Sequence, residues 1–240
     1  MTMTRKAEES TSSEKRYLYP RFRLRRGILK FGIGFFTHLL TRFTIEGKEN
    51  IPPEGPLIVV VNHFHFLDAA ILILAMPWPL EFLADFQMPN VPLTFKIFPA
   101  LYKTFDVAQG TANLDALHAS EGILGQSGVL GIFPEGRVHP SPLKPALPGA
   151  AFLALRTGAP ILPVGIFSDN DWDVFGTIKS HHRRLRVTCK VGKVFDPLKT
   201  EHPKRPSRDE IKSEGDEIMK AIADCLPVTM RGDFNPMNRT

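Results

Sequence analysis

Two cysteines, Cys189 and Cys225, are all that this 240-residue chain contains, and they stand far apart. Neither a disulfide framework nor a cysteine-based zinc cluster can be built from them, and a reducing, cytoplasmic-side setting is the expected one. There is no Gly-x-Ser-x-Gly elbow, and neither cysteine falls in a sharp turn. Covalent catalysis by a serine or cysteine therefore has no candidate. No charged n-region leads into an apolar h-region with a small-residue cleavage site, so no signal peptide is expected. Long hydrophobic runs are missing too. The apolar stretch from Gly27 to Phe43 is broken by Lys30, His38 and Arg42, whereas a membrane span needs about 20 mostly apolar residues. With no internal repeat, helix-turn-helix pattern or aromatic-plus-basic RNA signature, nucleic acid is not an expected partner.

What is present points elsewhere. The formal net charge of +5 suits an anionic partner such as acidic lipid or a phosphorylated substrate. Residues 1–15 are polar and read as a disordered tail. In residues 16–43 a basic cluster (Arg16, Arg21, Arg23, Arg25, Arg26) leads into the interrupted apolar stretch. That order predicts a helix lying on an anionic membrane surface, a peripheral or monotopic attachment. Residues 44–225 read as one domain and 226–240 as a C-terminal tail. Within the domain, strands are predicted at 43–47, 57–61, 80–84, 128–133 and 160–166, and an outer strand or hairpin arm within 184–195. Helices are predicted at 69–75, 111–125, 150–158 and about 208–225, the third closed by Gly158. This alternation predicts an α/β fold: a single domain with a central, largely parallel sheet flanked by helices.

Two predicted strands end abruptly in polar residues. One runs "VVVNHFHFLD" and delivers His63, His65 and Asp68; the other runs "GIFPEGR" and delivers Glu135, Gly136 and Arg137. In such folds the loops at the carboxyl ends of strands carry function. Two chemistries fit the first exit. His63, His65 and Asp68 offer metal-ligand types, but His118, His139, His181, His182 and His202 carry no spacing that completes a site. The second is a His–Asp dyad, in which the carboxylate orients an imidazole that takes a proton near neutral pH. Spacing leaves the choice of histidine open. In a continuous helix His65 and Asp68 share a face, and His63 lies roughly 140° away. If the helix starts only near Phe66, Asp68 reaches back to His63.

"NHFHFLD" resembles the Asn-His-x4-Asp motif of the glycerolipid acyltransferases, "GIFPEGR" their Phe-Pro-Glu-Gly motif, and "APILPVGI" their downstream Pro-containing strand. The resemblance covers roughly residues 44–170 with the motifs in the family's order. It implies transfer of a fatty acyl group from acyl-coenzyme A or acyl carrier protein to the hydroxyl of a lysophosphatidic-acid-like lysophospholipid. It implies no cofactor and no metal. On it His63 is the catalytic base and Asp68 its orienting partner, while Glu135, Gly136 and Arg137 form the substrate-binding turn, with Arg137 on an acceptor phosphate. Two departures bear on the acceptor. Arg137 follows Gly136 directly, where the family usually has Thr-Arg, and "TFDVAQGTANLDAL" has Gln109 but no Arg where the family carries one. The alternatives are another lysolipid acceptor, a His/Asp metallohydrolase, and a non-catalytic membrane-binding relative.

Overall fold

The computed structural model describes residues 18–84, 101–102, 104–106, 114–169, 177, 179 and 184–235. The 1–15 tail, Arg16, the stretch with Gln109, His181, His182 and residues 236–240 lie outside the described residues. In chain order come α1 (Arg23–Leu40), β1 (Thr41–Glu46), β2 (Leu57–Val61), α2 (Asp68–Ala75), β3 (Leu80–Ala84) and β4 (Phe105–Asp106). They are followed by α3 (Leu114–Leu124), β5 (Val129–Ile132), α4 (Pro148–Thr157), β6 (Ile161–Ser168), β7 (Leu185–Val191) and α5 (Arg208–Asp224).

The strands join in one seven-stranded sheet, ordered β1-β7-β6-β2-β5-β3-β4. Every pairing is parallel except β6 with β7. The largely parallel α/β architecture expected from the alternating pattern is what forms. β2 explains why its sequence is continuously apolar. Leu57, Val59 and Val61 pack on one face against α2, while Ile58 and Val60 pack on the other against α3, α4 and α5. A strand covered on both sides has no polar face to show.

Local signals set several boundaries. Gly158 closes α4 in the left-handed conformation, which glycine adopts without a Cβ penalty. Ser207 caps α5 in a reciprocal capping box with Glu210, satisfying two free amides at once.

The sheet's edge corrects three sequence expectations. β7 forms the expected hairpin arm, antiparallel to the preceding β6, but it is not an outer strand: β1 takes the edge, and β7 lies between β1 and β6. Its alternation comes from uneven cover on its two faces, with Leu185, Val187, Cys189 and Val191 all buried. Residues 226–235, read as the start of a tail, pack on the core through Leu226 and Phe234. Two arginines of the basic cluster do not face outward. Arg26 is 4% exposed and grips Glu81 of β3 with both terminal nitrogens, at 2.6 and 2.8 Å. Arg21 donates to the same carboxylate at 2.7 Å. The Arg26 guanidinium also lies 4.4 Å from the centre of the Tyr102 ring. A buried carboxylate on β3 needs this charge beside it, and the pair fixes which way α1 faces.

As a result α1 is turned opposite to a helix of a water-soluble surface. Its inner side carries Arg26, Lys30 and Gly34, with Lys30 donating to the Met76 carbonyl. Its outer side exposes Leu24, Ile28, Phe31, Phe35, Phe36 and Leu39.

Candidate active site

β2 and β5 are neighbours and parallel, with Val60 opposite Ile132. Their carboxyl ends therefore open side by side, and both polar exits meet there. Asn62 is the first residue past β2 and is fully buried. Its side chain replaces a strand neighbour: Oδ1 accepts from Ile166 N at 2.7 Å, and Nδ2 donates to Ile166 O at 2.8 Å. Pairing to β6 thus ends on a side chain, and the backbone turns away at His63.

The helix question resolves cleanly. α2 starts at Asp68 itself, with His63 and His65 in the turn before it. Asp68 Oδ2 lies 3.3 Å from His63 Nδ1 and accepts from the His65 amide at 2.8 Å. The carboxylate therefore serves the ring of His63 and only the main chain of His65. Asp68 is fully buried in the first helical turn, and burial pushes its carboxyl above the usual value against the pull of His63 and the turn amides. Its Oδ1 has no hydrogen-bond partner among the described residues. The Nδ1–H tautomer of His63 fits this contact with a carboxylate oxygen, and that tautomer has its lone pair on Nε2. The His63 ring stacks on Phe133 at 3.9 Å between centroids, which holds its plane.

His65 is a different kind of histidine. Its Nδ1 faces the Leu67 amide at 3.3 Å. Burial, helped by nearby His63, pushes its pKa down to about 4, so the ring is neutral at pH 7. Among the described residues no three His, Cys, Asp or Glu side chains form a group able to hold a metal ion. His63, His65 and Asp68 assemble through hydrogen bonds instead.

At the second exit, Gly136 has φ 74° and closes a tight turn by donating to Phe133 O at 2.9 Å. This is a backbone state that glycine suits. Arg137 is exposed at the rim. Glu135 is buried, and its partner is His139, not the adjacent Arg137: Oε1 lies 2.6 Å from His139 Nε2 and accepts from Lys144 N at 2.9 Å. Its Oε2 accepts from His63 N at 2.8 Å. The two exits are therefore tied directly to each other. Sequence reasoning gave no role to Asn62 or to His139. The available signal for His139 was its position four residues after Glu135, across a glycine turn.

A model of the family described as Acyltransferase matches residues 42–167, more than half of the 240-residue chain. The chain belongs to the acyltransferase family. The matched span runs from within β1 to within β6 and contains both strand exits. The protein is similar to the 1-acyl-sn-glycerol-3-phosphate acyltransferase of Borreliella burgdorferi, 26% identical over 184 residues, covering 75% of this chain and 72% of that one. It is similar to the probable 1-acyl-sn-glycerol-3-phosphate acyltransferase of Mycoplasma genitalium, 30% identical over 159 residues, covering 63% of this chain and 59% of that one. The crystal structure of the 1-acyl-sn-glycerophosphate acyltransferase PlsC from Thermotoga maritima superposes with a TM-score of 0.58 over 90% of this chain and 87% of that one, at 22% identity. The two share a fold.

Proposed function

We propose that this acyltransferase moves a fatty acyl group from a thioester, acyl-coenzyme A or acyl carrier protein, to the hydroxyl of a lysophosphatidic-acid-like acceptor. The observation that carries the reading is the His63–Asp68 pair at the end of β2, tied through the His63 amide to the Glu135 turn beside it. The names of the curated relatives supply the acceptor class.

In this mechanism His63 Nε2 removes the proton from the acceptor hydroxyl as that oxygen attacks the thioester carbon. The tetrahedral intermediate then collapses, the C–S bond breaks, and the imidazolium returns its proton to the leaving thiolate. Asp68 holds the Nδ1–H tautomer and stabilises the imidazolium between the two steps. The 3.3 Å separation is long for a charge-assisted hydrogen bond, and such contacts tighten when substrate binds. Glu135 and Gly136 shape the acceptor side of the site, and exposed Arg137 meets the acceptor phosphate. A bidentate guanidinium suits that anion.

The lipid acceptor gives the outer face of α1 a use. No described helix is long and apolar enough to cross a membrane. A row of phenylalanines and leucines turned outward, with exposed Arg23 beside it, supports a helix seated in the headgroup region of an anionic bilayer. The testing experiment is a panel of lysophospholipids and free alcohols offered with acyl-coenzyme A and read by product mass spectrometry. Acylated lysophosphatidic acid is the expected main product. Preference for an acceptor lacking the phosphate monoester would reassign the substrate, and thioester cleavage without acyl transfer would replace the reaction by hydrolysis.

A further inference from the structure

The turn after β5 grips His63 at both ends of its main chain. Its N–H donates to Glu135 Oε2 at 2.8 Å, and its carbonyl accepts from His139 N at 3.0 Å. A base whose two flanking peptides are held this way has little freedom to shift its ring. What holds Glu135 in turn is the His139 side chain, 5% exposed, whose Nε2 lies 2.6 Å from Glu135 Oε1. The other ring nitrogen, Nδ1, lies 2.8 Å from the Pro140 carbonyl. A carbonyl only accepts, so Nδ1 carries a hydrogen. Glu135 already accepts two main-chain N–H groups, from His63 and Lys144, as an ionised carboxylate does. Hydrogen bonds from two N–H groups favour the charged carboxylate, and a charged carboxylate takes the hydrogen of this contact from Nε2.

We infer that His139 is a positioning residue for the transfer reaction: a ring protonated on both nitrogens that locks Glu135, and through it the main chain of His63. This rests on the reading of His63 as the base. It also gives the buried Glu135 carboxylate the positive partner it needs, a task that adjacent Arg137, exposed at the rim, does not perform. The Phe64 ring, edge-on to His139 at 5.8 Å between centroids, closes the arrangement from the His63 side.

The test uses the full chain with two readouts. In the first, histidine-selective 15N labelling reports the protonation of the ring nitrogens at pH 7, and His139→Gln identifies the His139 signals by their loss. Two protonated nitrogens are expected, with one proton lost in Glu135→Gln; a singly protonated His139 ring in the unaltered protein overturns the inference. In the second, His139→Leu is expected to lower kcat by about 10- to 100-fold, the scale of a misplaced catalytic group, with KM for acyl-coenzyme A unchanged. His139→Gln, which still offers Glu135 an N–H, should recover part of the loss. Unchanged kcat in folded His139→Leu overturns the inference, and if that variant does not fold, the labelling result decides. The two readings fail separately: an active His63→Ala removes the base assignment, whereas an inactive His63→Ala beside a fully active His139→Leu removes only the brace.

Discussion

Glu81→Gln is a single-atom exchange that tests how α1 is anchored. The carboxylate is fully buried, and it faces Arg26, which is itself 4% exposed. Removing the negative charge leaves the buried guanidinium without its counter-ion, while Arg21, on the same oxygen, loses this ion pair too. Breaking a buried pair from one side costs roughly 3–5 kcal/mol. At about 2–4 °C per kcal/mol for a chain of this size, Tm should fall by about 6–20 °C. Arg23→Ala is the control, because Arg23 is exposed on the same helix and such changes usually stay within about 0.5 kcal/mol. Glu81→Leu with Arg26→Met removes both charges together and should lose much less than Glu81→Gln alone. Calorimetry of the three variants decides the matter. If Glu81→Gln lowers Tm no more than Arg23→Ala, the ion pair does not anchor the helix.

Three further outcomes follow from the same contacts. Asn62→Ala leaves the N–H and C=O of Ile166 unpaired inside the core and should cost at least about 2 kcal/mol in a denaturant titration. Glu214 is buried with Oε1 unpartnered among the described residues, and burial raises its pKa from the ordinary 4.5. A raised carboxyl makes the folded state lose stability as pH climbs from 4.5 through the raised value. Glu214→Gln should therefore stabilise the protein at pH 7.5 and do little at pH 4; equal effects at both pH values would count against a buried charge. Phe31→Ser with Phe35→Ser, on the outer face of α1, should weaken sedimentation with anionic vesicles even in high salt, where the attraction of the arginines is screened; unchanged binding would move the membrane contact elsewhere.

How much of this the sequence disclosed depends on how local each cause is. β2 was legible because its apolar run between turn signals is short and rich in β-branched residues, Ile58, Val59, Val60 and Val61, which suits a strand covered on both faces. The end of α4 was legible because Gly158 acts on its own turn. The strand exits were legible because polar residues interrupt apolar runs abruptly. The orientation of the basic cluster was not. An arginine reads the same whether it meets water or a carboxylate 55 residues further on, as Arg26 meets Glu81. The same limit hid Asn62, whose partner Ile166 lies 104 residues away. His139 was not legible for another reason: a histidine four residues after a glutamate is an ordinary spacing, and only the turn at Gly136 brings the two side chains together. The hairpin arm at β7 was legible in its alternation, but its inner place was not, because an inner strand with uneven cover gives the same pattern as an edge.

The central claim is that His63, and not His65, is the base, and one comparison tests it most directly. Acyl transfer from acyl-coenzyme A to lysophosphatidic acid is measured for the unaltered protein, His63→Ala and His65→Ala, each confirmed folded by circular dichroism. His63→Ala should lose at least about a hundredfold in kcat, the lower range for removal of a general base. His65→Ala should fall far less, because only its main-chain N–H reaches Asp68. An active His63→Ala beside an inactive His65→Ala would contradict the account.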